Sequence, residues 1–163
     1  VAARAVAIAV AALARIDLRR HTSAHPRLGA VDHISFHPLG SGTEIESAVA
    51  AGATAARRLA AENRVPVLYY GALKAGKRLA DVRRELRYFE PIGLSSGGGS
   101  GSGNGGGSSS GSNDNGSGDG RGWPGGASVV SDEGPTDVDA AIGICTVGAV
   151  PYVQNFNVSS GTA

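Results

Sequence analysis

Apolar residues recur along this chain with two periods, and the switch between them predicts its elements. Val6, Val10, Leu13 and Ile16 fall three or four apart, so residues 3–15 read as an alanine-rich helix with Arg4 and Arg15 on its solvated side. Over residues 32–37 the period drops to two. Ile34 and Phe36 take one face of a strand, His33, Ser35 and His37 take the other, and Pro38 closes it. A helical face returns with Ile45, Val49, Ala53, Ala56 and Leu59, opened by a Thr43–Glu46 capping box and stopped by a left-handed Asn63. Residues 65–70, VPVLYY, form a short strand that Gly71 ends. A third helix over 77–89 turns Leu79, Val82, Leu86 and Phe89 inward. Residues 144–150 are a strand in which Gly148 implies a close backbone approach, and residues 152–158 alternate as one more.

Helix, strand, helix, strand in that order predicts an α/β layered domain. Residues 95–126 interrupt it with a Gly/Ser/Asn tract holding more than half of the 26 glycines. Such a segment buries too little apolar surface to offset its ordering entropy and reads as a disordered surface loop, with order returning at Asp132. It lacks the Gly-Lys-Ser/Thr ending of a phosphate-cradling loop. The domain therefore spans residues 1–158, about 130 residues outside the tract, with 159–163 as a tail.

Charge changes this picture little. Lys and Arg number 15 against 14 Asp and Glu, a net +1 that makes no case for nucleic acid or membrane. The basic neighbourhood of Lys74, Lys77, Arg78, Arg83, Arg84 and Arg87 reads as a solvated helix face, with docking of a polyanionic small molecule as the alternative. The single Cys145 rules out an internal disulfide and fits a reducing compartment, hence a cytoplasmic protein. Residues 5–14 are too few to span a bilayer. Methionine is absent even from position 1, which reads as a fragment or processed product.

All four histidines lie in residues 21–39. His33 and His37 share a strand face about 13 Å apart, whereas ligand nitrogens sit about 2 Å from a zinc ion, so no metal site is expected. His25 differs: it precedes Pro26 in a loop between a helix and a strand, and imidazole titrates where a proton shuttle must. Arg27 could hold an anionic substrate and Asp32 could orient an imidazole, although spacing alone favours a structural His-Pro turn.

Taken together, HPRLG at residues 25–29 with Asp32, Phe36 and Pro38, VPVLYYG at 65–71, Arg78-Leu79 with Arg83-Arg84, Glu133-Gly134-Pro135, Gly148-Ala149 and Asn155-Phe156-Asn157 resemble the N-terminal subdomain of glutamate formiminotransferase. The wording HPRLGAVDHISFHPL and RRELRYFEP is closest to the formiminotransferase-like proteins of plants and green algae. The resemblance implies a ferredoxin-like two-layer sandwich whose first strands are missing here. It also implies transfer of a formimino group from N-formimino-L-glutamate to tetrahydrofolate as co-substrate. His25 would be the proton-transferring residue, and the folate-contacting loop would begin at Gly134-Pro135, pass Thr136 and end at Gly143. Residues 136–142 depart from the family's wording. A C-terminal subdomain absent from this chain would complete the site, and a homodimer would be compatible with it.

The residue types suit that chemistry. An attacking amine must shed a proton and the departing glutamate amine must gain one, and a single imidazole serves both. The substrates carry carboxylates, for which Arg27 and the helix around Arg83 and Arg84 are anion partners, a salt bridge within the fold being the other reading. The rival function is a catalytically silent folate-binding or protein-interaction module that keeps the fold.

Overall fold

The computed structural model describes residues 1–21, 25–39, 44–86, 123 and 126–152. Two helices lead. Helix α1 (Ala2–Leu13) precedes strand β1 (His33–Phe36), and α2 (Ile45–Asn63) precedes β2 (Val67–Gly71). A 3-10 turn (Ala72–Lys74), α3 (Leu79–Glu85) and β3 (Cys145–Ala149) complete the order. The strands form one parallel sheet in the order β1-β3-β2, with His33 opposite Thr146 and Val67 opposite Cys145. The last strand in sequence thus lies at the centre, and it comes from the far side of the glycine tract.

Alternation along the strands divides the core in two. Phe36, Val67, Cys145, Val147 and Ala149 pack with α1 and α2 through Val6, Ala9, Ala55, Ala56, Leu59 and Ala60. Leu68 and Tyr70 pack with Val82 and Leu86 of α3 and with Trp123, Ala127, Val129 and Val138. The sheet is covered on both faces, as parallel strands require, and the domain is α/β.

The helices form where expected, but their inward faces are turned. Val10 and Ile16, expected inside, are 36% and 37% exposed, while Val6 and Ala9 are each 2% exposed. On α2 the fully covered positions are Ala48, Gly52, Ala55, Ala56, Leu59 and Ala60, with Ile45 and Val49 at the margin. Because α1 packs on α2, small side chains at the seam let the axes approach, and size was the wrong guide to burial.

The caps shift as well. The N-cap of α2 is Glu44, which makes no side-chain cap bond, and Thr43 lies outside the described residues. The left-handed stop is Arg64 (φ 55°, ψ 30°) rather than Asn63, its N–H donating to Ala60 O at 3.1 Å. Helix α3 runs only over Leu79–Glu85 and turns Leu79, Val82 and Leu86 inward as expected. Phe89, most of the glycine tract, residues 153–158 of the last expected strand and the tail lie outside the described residues. Trp123, inside that tract, is 3% exposed, so ordered chain resumes ahead of Asp132.

Gly148 does meet a close neighbour, but a ring rather than a backbone. In register, Ser35, Gly148 and Tyr70 lie side by side across the three strands. The Tyr70 ring lies over the glycine, so a Cβ at 148 would sit 2.2 Å from it. Burial pushes the Tyr70 phenol up, partly offset by the Ser35 side chain on the opposite edge strand. Absence of a side chain at the centre of the sheet therefore joins the two outer strands.

Gly148→Ala must displace that ring, and overpacking of this kind costs about 1–3 kcal/mol. Tyr70→Phe keeps the ring and should cost only about 1 kcal/mol. Urea titration separates the two variants, and equal losses would show that the ring is not the constraint. Burial also raises the Cys145 thiol far above its usual range, ahead of the nearby Asp32 carboxylate. A thiol reagent at about pH 8 should leave Cys145 untouched in the folded protein and label it in urea; labelling without denaturant would contradict its enclosure.

Candidate functional site

The histidine-bearing loop is fastened from below and from one side. Proline after His25 biases the chain to an extended turn, and His25 is exposed there with its Nδ1 2.6 Å from the Pro26 carbonyl. A carbonyl oxygen only accepts, so a hydrogen bond here is made by the tautomer with its proton on Nδ1. Beyond Arg27 the main chain dives into the core, where Leu28 is 0% exposed. Leu28 N–H donates to a carboxylate oxygen of Asp32, closing residues 28–32 into a tight loop. The other Asp32 oxygen accepts from Arg83 Nη2 at 2.9 Å and lies 3.9 Å from His33 Nδ1.

The loop meets a second one at a backbone crossing. Gly29 bridges Gly143 in antiparallel fashion; Ile144 N–H donates to Leu28 O and Ala30 N–H to Ile142 O, each at 2.9 Å. Trp123 Nε1 donates to the same Leu28 carbonyl at 2.6 Å. No side chain fits at this crossing: a Cβ on Gly29 would lie 2.0 Å from Ile144 O, and one on Gly143, where φ is +69°, would lie 2.3 Å from Leu28 O. The HPRLG turn is thereby joined directly to one end of the loop expected to contact folate.

The rest of that loop is held separately. Gly134 sits under the Val65 carbonyl and Ala60. Glu133 main chain pairs with Val67, the outer edge of β2, and the Asp132 carboxylate takes Tyr69 N–H at 2.7 Å and Lys74 Nζ at 2.6 Å. Ser131 Oγ donates to the Pro135 carbonyl at 3.0 Å, and Thr136, exposed, accepts Val129 N–H at 2.9 Å. Asp139 folds the far end, taking Ala141 N–H on its carboxylate and Gly143 N–H on its carbonyl. Loop 134–143 therefore runs from the β2 edge to the histidine turn, bringing Gly143 to Gly29 but leaving Gly134, Pro135 and Thr136 on the β2 side.

Arg27 is the charged residue that stands out. Only 9% exposed, it sends Nη2 to the carbonyls of His21 and Leu18, the latter at 3.5 Å. Its Nε and Nη1 are buried without a hydrogen-bond partner among the described residues. No carboxylate pairs with it among those residues, whereas a buried guanidinium ordinarily requires one. The turn that takes its hydrogen bonds is itself rigid: Arg19 clasps the Asp17 carboxyl and holds it down at about 2. Beside that turn lies a cleft of about 290 Å³ bordered by Arg15, Ile16, Asp17, Arg20 and His21.

The basic neighbourhood of α3 is different. Lys74 pairs with Asp132, Lys77 with Glu85, Arg78 and Arg84 with Asp81, and Arg83 with Asp32. Arg78 and then Arg84 hold the Asp81 carboxyl well below its usual range. These pairs fit a solvated face neutralised within the fold. Arg87 lies outside the described residues. His37, the other histidine on the polar strand face, has Nδ1 3.2 Å from the carbonyls of Val150 and Pro151 and its ring edge-on to Tyr152, a packing role. Among the described residues no three His, Cys, Asp or Glu side chains gather as a metal site would require, and no helix is long and apolar enough to cross a membrane.

Sequence reasoning missed the Asp32–Arg83 pair and the enclosure of Arg27. Residue 83 is far along the chain from 32, and nothing in spacing marks it. For Arg27 a weak signal existed: a lone arginine between Pro26 and the apolar Leu28, with no acidic neighbour closer than Asp32.

The family model of the formiminotransferase domain, N-terminal subdomain, matches residues 1–150. A formiminotransferase cyclodeaminase-like protein of Arabidopsis thaliana is 34% identical over 153 residues, 90% of this chain and 43% of that protein. The formimidoyltransferase-cyclodeaminase of Rattus norvegicus is 41% identical over 56 residues, 34% of this chain and 10% of that protein. The chain spans less than half the length of these relatives. Matched by the family model over residues 1–150 and by the Arabidopsis thaliana relative over 90% of its length, the chain belongs to the formiminotransferase family, to the N-terminal subdomain of its formiminotransferase domain.

Proposed function

We propose that this subdomain contributes the proton-handling half of a folate-dependent transferase, which moves a formimino group from N-formimino-L-glutamate to tetrahydrofolate. The observation that carries the reading is the crossing at Gly29 and Gly143, which sets the His25–Arg27 turn against the end of loop 134–143. In this reading the folate amine adds to the formimino carbon and loses a proton to His25 Nε2. The same imidazolium then protonates the departing glutamate nitrogen as its bond to carbon breaks. Gly134, Pro135, Thr136 and Gly143 line the folate side, and Arg27 holds a substrate carboxylate through the nitrogens that the fold leaves without partners among the described residues. The ferredoxin-like sandwich belongs to the same proposal. So do a cytoplasmic setting, a completing C-terminal subdomain and a homodimer.

A second reading keeps the fold and folate binding without turnover. It is favoured by the His25 contact with the Pro26 carbonyl, which suits a structural turn equally well.

In the natural protein that contains this chain, His25→Ala should lower kcat by about a hundredfold or more while folate still binds. Turnover that persists unchanged removes His25 from the chemistry; folate binding with no turnover in the wild type favours the silent module. Arg27→Met exchanges a buried charge with no carboxylate partner among the described residues for an apolar side chain of similar length, so the melting temperature should hold or rise. The KM for formiminoglutamate should rise about tenfold or more with the loss of a charge-assisted contact. A marked fall in melting temperature would make the guanidinium a structural element instead.

A further inference from the structure

The geometry points to Asp32 as the positioning residue for His25, with Arg83 on α3 as its counterpart, an inference that rests on the transfer reading above. Asp32 stands where the histidine turn ends and β1 begins. One carboxylate oxygen accepts the Leu28 N–H and so closes the turn; the other takes Arg83 Nη2 at 2.9 Å. Its main-chain carbonyl accepts both N–H and Oγ1 of Thr146 on β3, at 3.0 and 3.1 Å. One residue therefore bonds the turn, the central strand and α3 at once. Side-chain exposures of 25% for Asp32 and 21% for Arg83 leave the ion pair only partly screened. Only Pro26 and Arg27 separate His25 from Leu28, and Pro26 stiffens the link. A shift of the Leu28 amide therefore passes to the imidazole, and displacements near 1 Å at a reacting group cost about a hundredfold in rate.

The two oxygens can be separated by substitution. Asp32→Asn keeps an acceptor for Leu28 but removes the charge that holds Arg83. Asp32→Ala removes both. Arg83→Lys keeps the charge and loses the planar fork.

The test uses the natural protein that contains this chain, with steady-state kinetics on formiminoglutamate and tetrahydrofolate and hydrogen exchange at the Leu28 and Val147 amides. We expect kcat to fall about tenfold in Asp32→Asn and about a hundredfold in Asp32→Ala, with both KM values within about threefold of wild type. Arg83→Lys should lose less than Asp32→Asn. Exchange at Leu28 should accelerate in the order Asn, then Ala, while Val147 on β3 stays protected. Unchanged kcat in Asp32→Asn, or KM rising in step with the loss of kcat, overturns the inference. If Asp32→Ala also exposes Val147, the Asn variant alone decides. If the wild type shows no transfer, the functional reading falls and Leu28 exchange is the remaining measure: faster exchange with Val147 protected supports Asp32 as the residue that holds the turn, and unchanged exchange overturns it.

Discussion

The structure depends on two main chains passing at a separation that leaves no room for a side chain. At Gly29 and Gly143 each backbone occupies the position of the other's Cβ, and the hydrogen bonds on either side exist only because of it. Everything downstream follows from this crossing. It seats Leu28 in the core and leaves His25 at the surface three residues earlier. It brings β3, which follows directly after Gly143 and Ile144, into line between β1 and β2. Trp123 donates to the same Leu28 carbonyl and so meets the crossing directly.

A second glycine works in the opposite sense. At Gly148 the missing side chain admits a ring, not a backbone, and the Tyr70 phenol reaches Ser35 across the central strand. Around it the second face of the sheet collects hydroxyl and charged groups: Ser35, Tyr70, Thr146 and, at its margin, the Asp32–Arg83 pair. The first face is apolar, closed by two alanine-rich helices. Both faces thus pack against apolar side chains, the second also carrying these polar groups, and the histidine turn leaves the sheet beside them.

Periodicity located α1, β1 and α2, and short runs of apolar strand-forming residues located β2 and β3. Their facing was harder to read. Large side chains such as Val10 and Ile16 look like core residues, yet the α1–α2 seam is built from alanines, which carry almost no periodic signal. The site was legible to the extent that it is local: His25, Pro26, Arg27, Gly29 and Asp32 lie in one short run. What was hidden is what crosses the chain. Arg83 reaches Asp32 from a helix 51 residues away, and Trp123 is masked by a composition that resembles a linker. Arg27 shows its importance only through enclosure, which spacing does not report. The family resemblance carried the role assignments, and the geometry accounts for why such residues sit together.

Because the Ile144 carbonyl occupies the space of a side chain at Gly29, and the Leu28 carbonyl that of one at Gly143, the two segments can change shape only together. A drift in the path of one strand of the crossing has no slack to absorb it except a matching drift in the other. Chimeras between members of this family should therefore exchange the histidine turn and the 134–143 loop together. A graft of either alone would arrive with a backbone cut to a different partner.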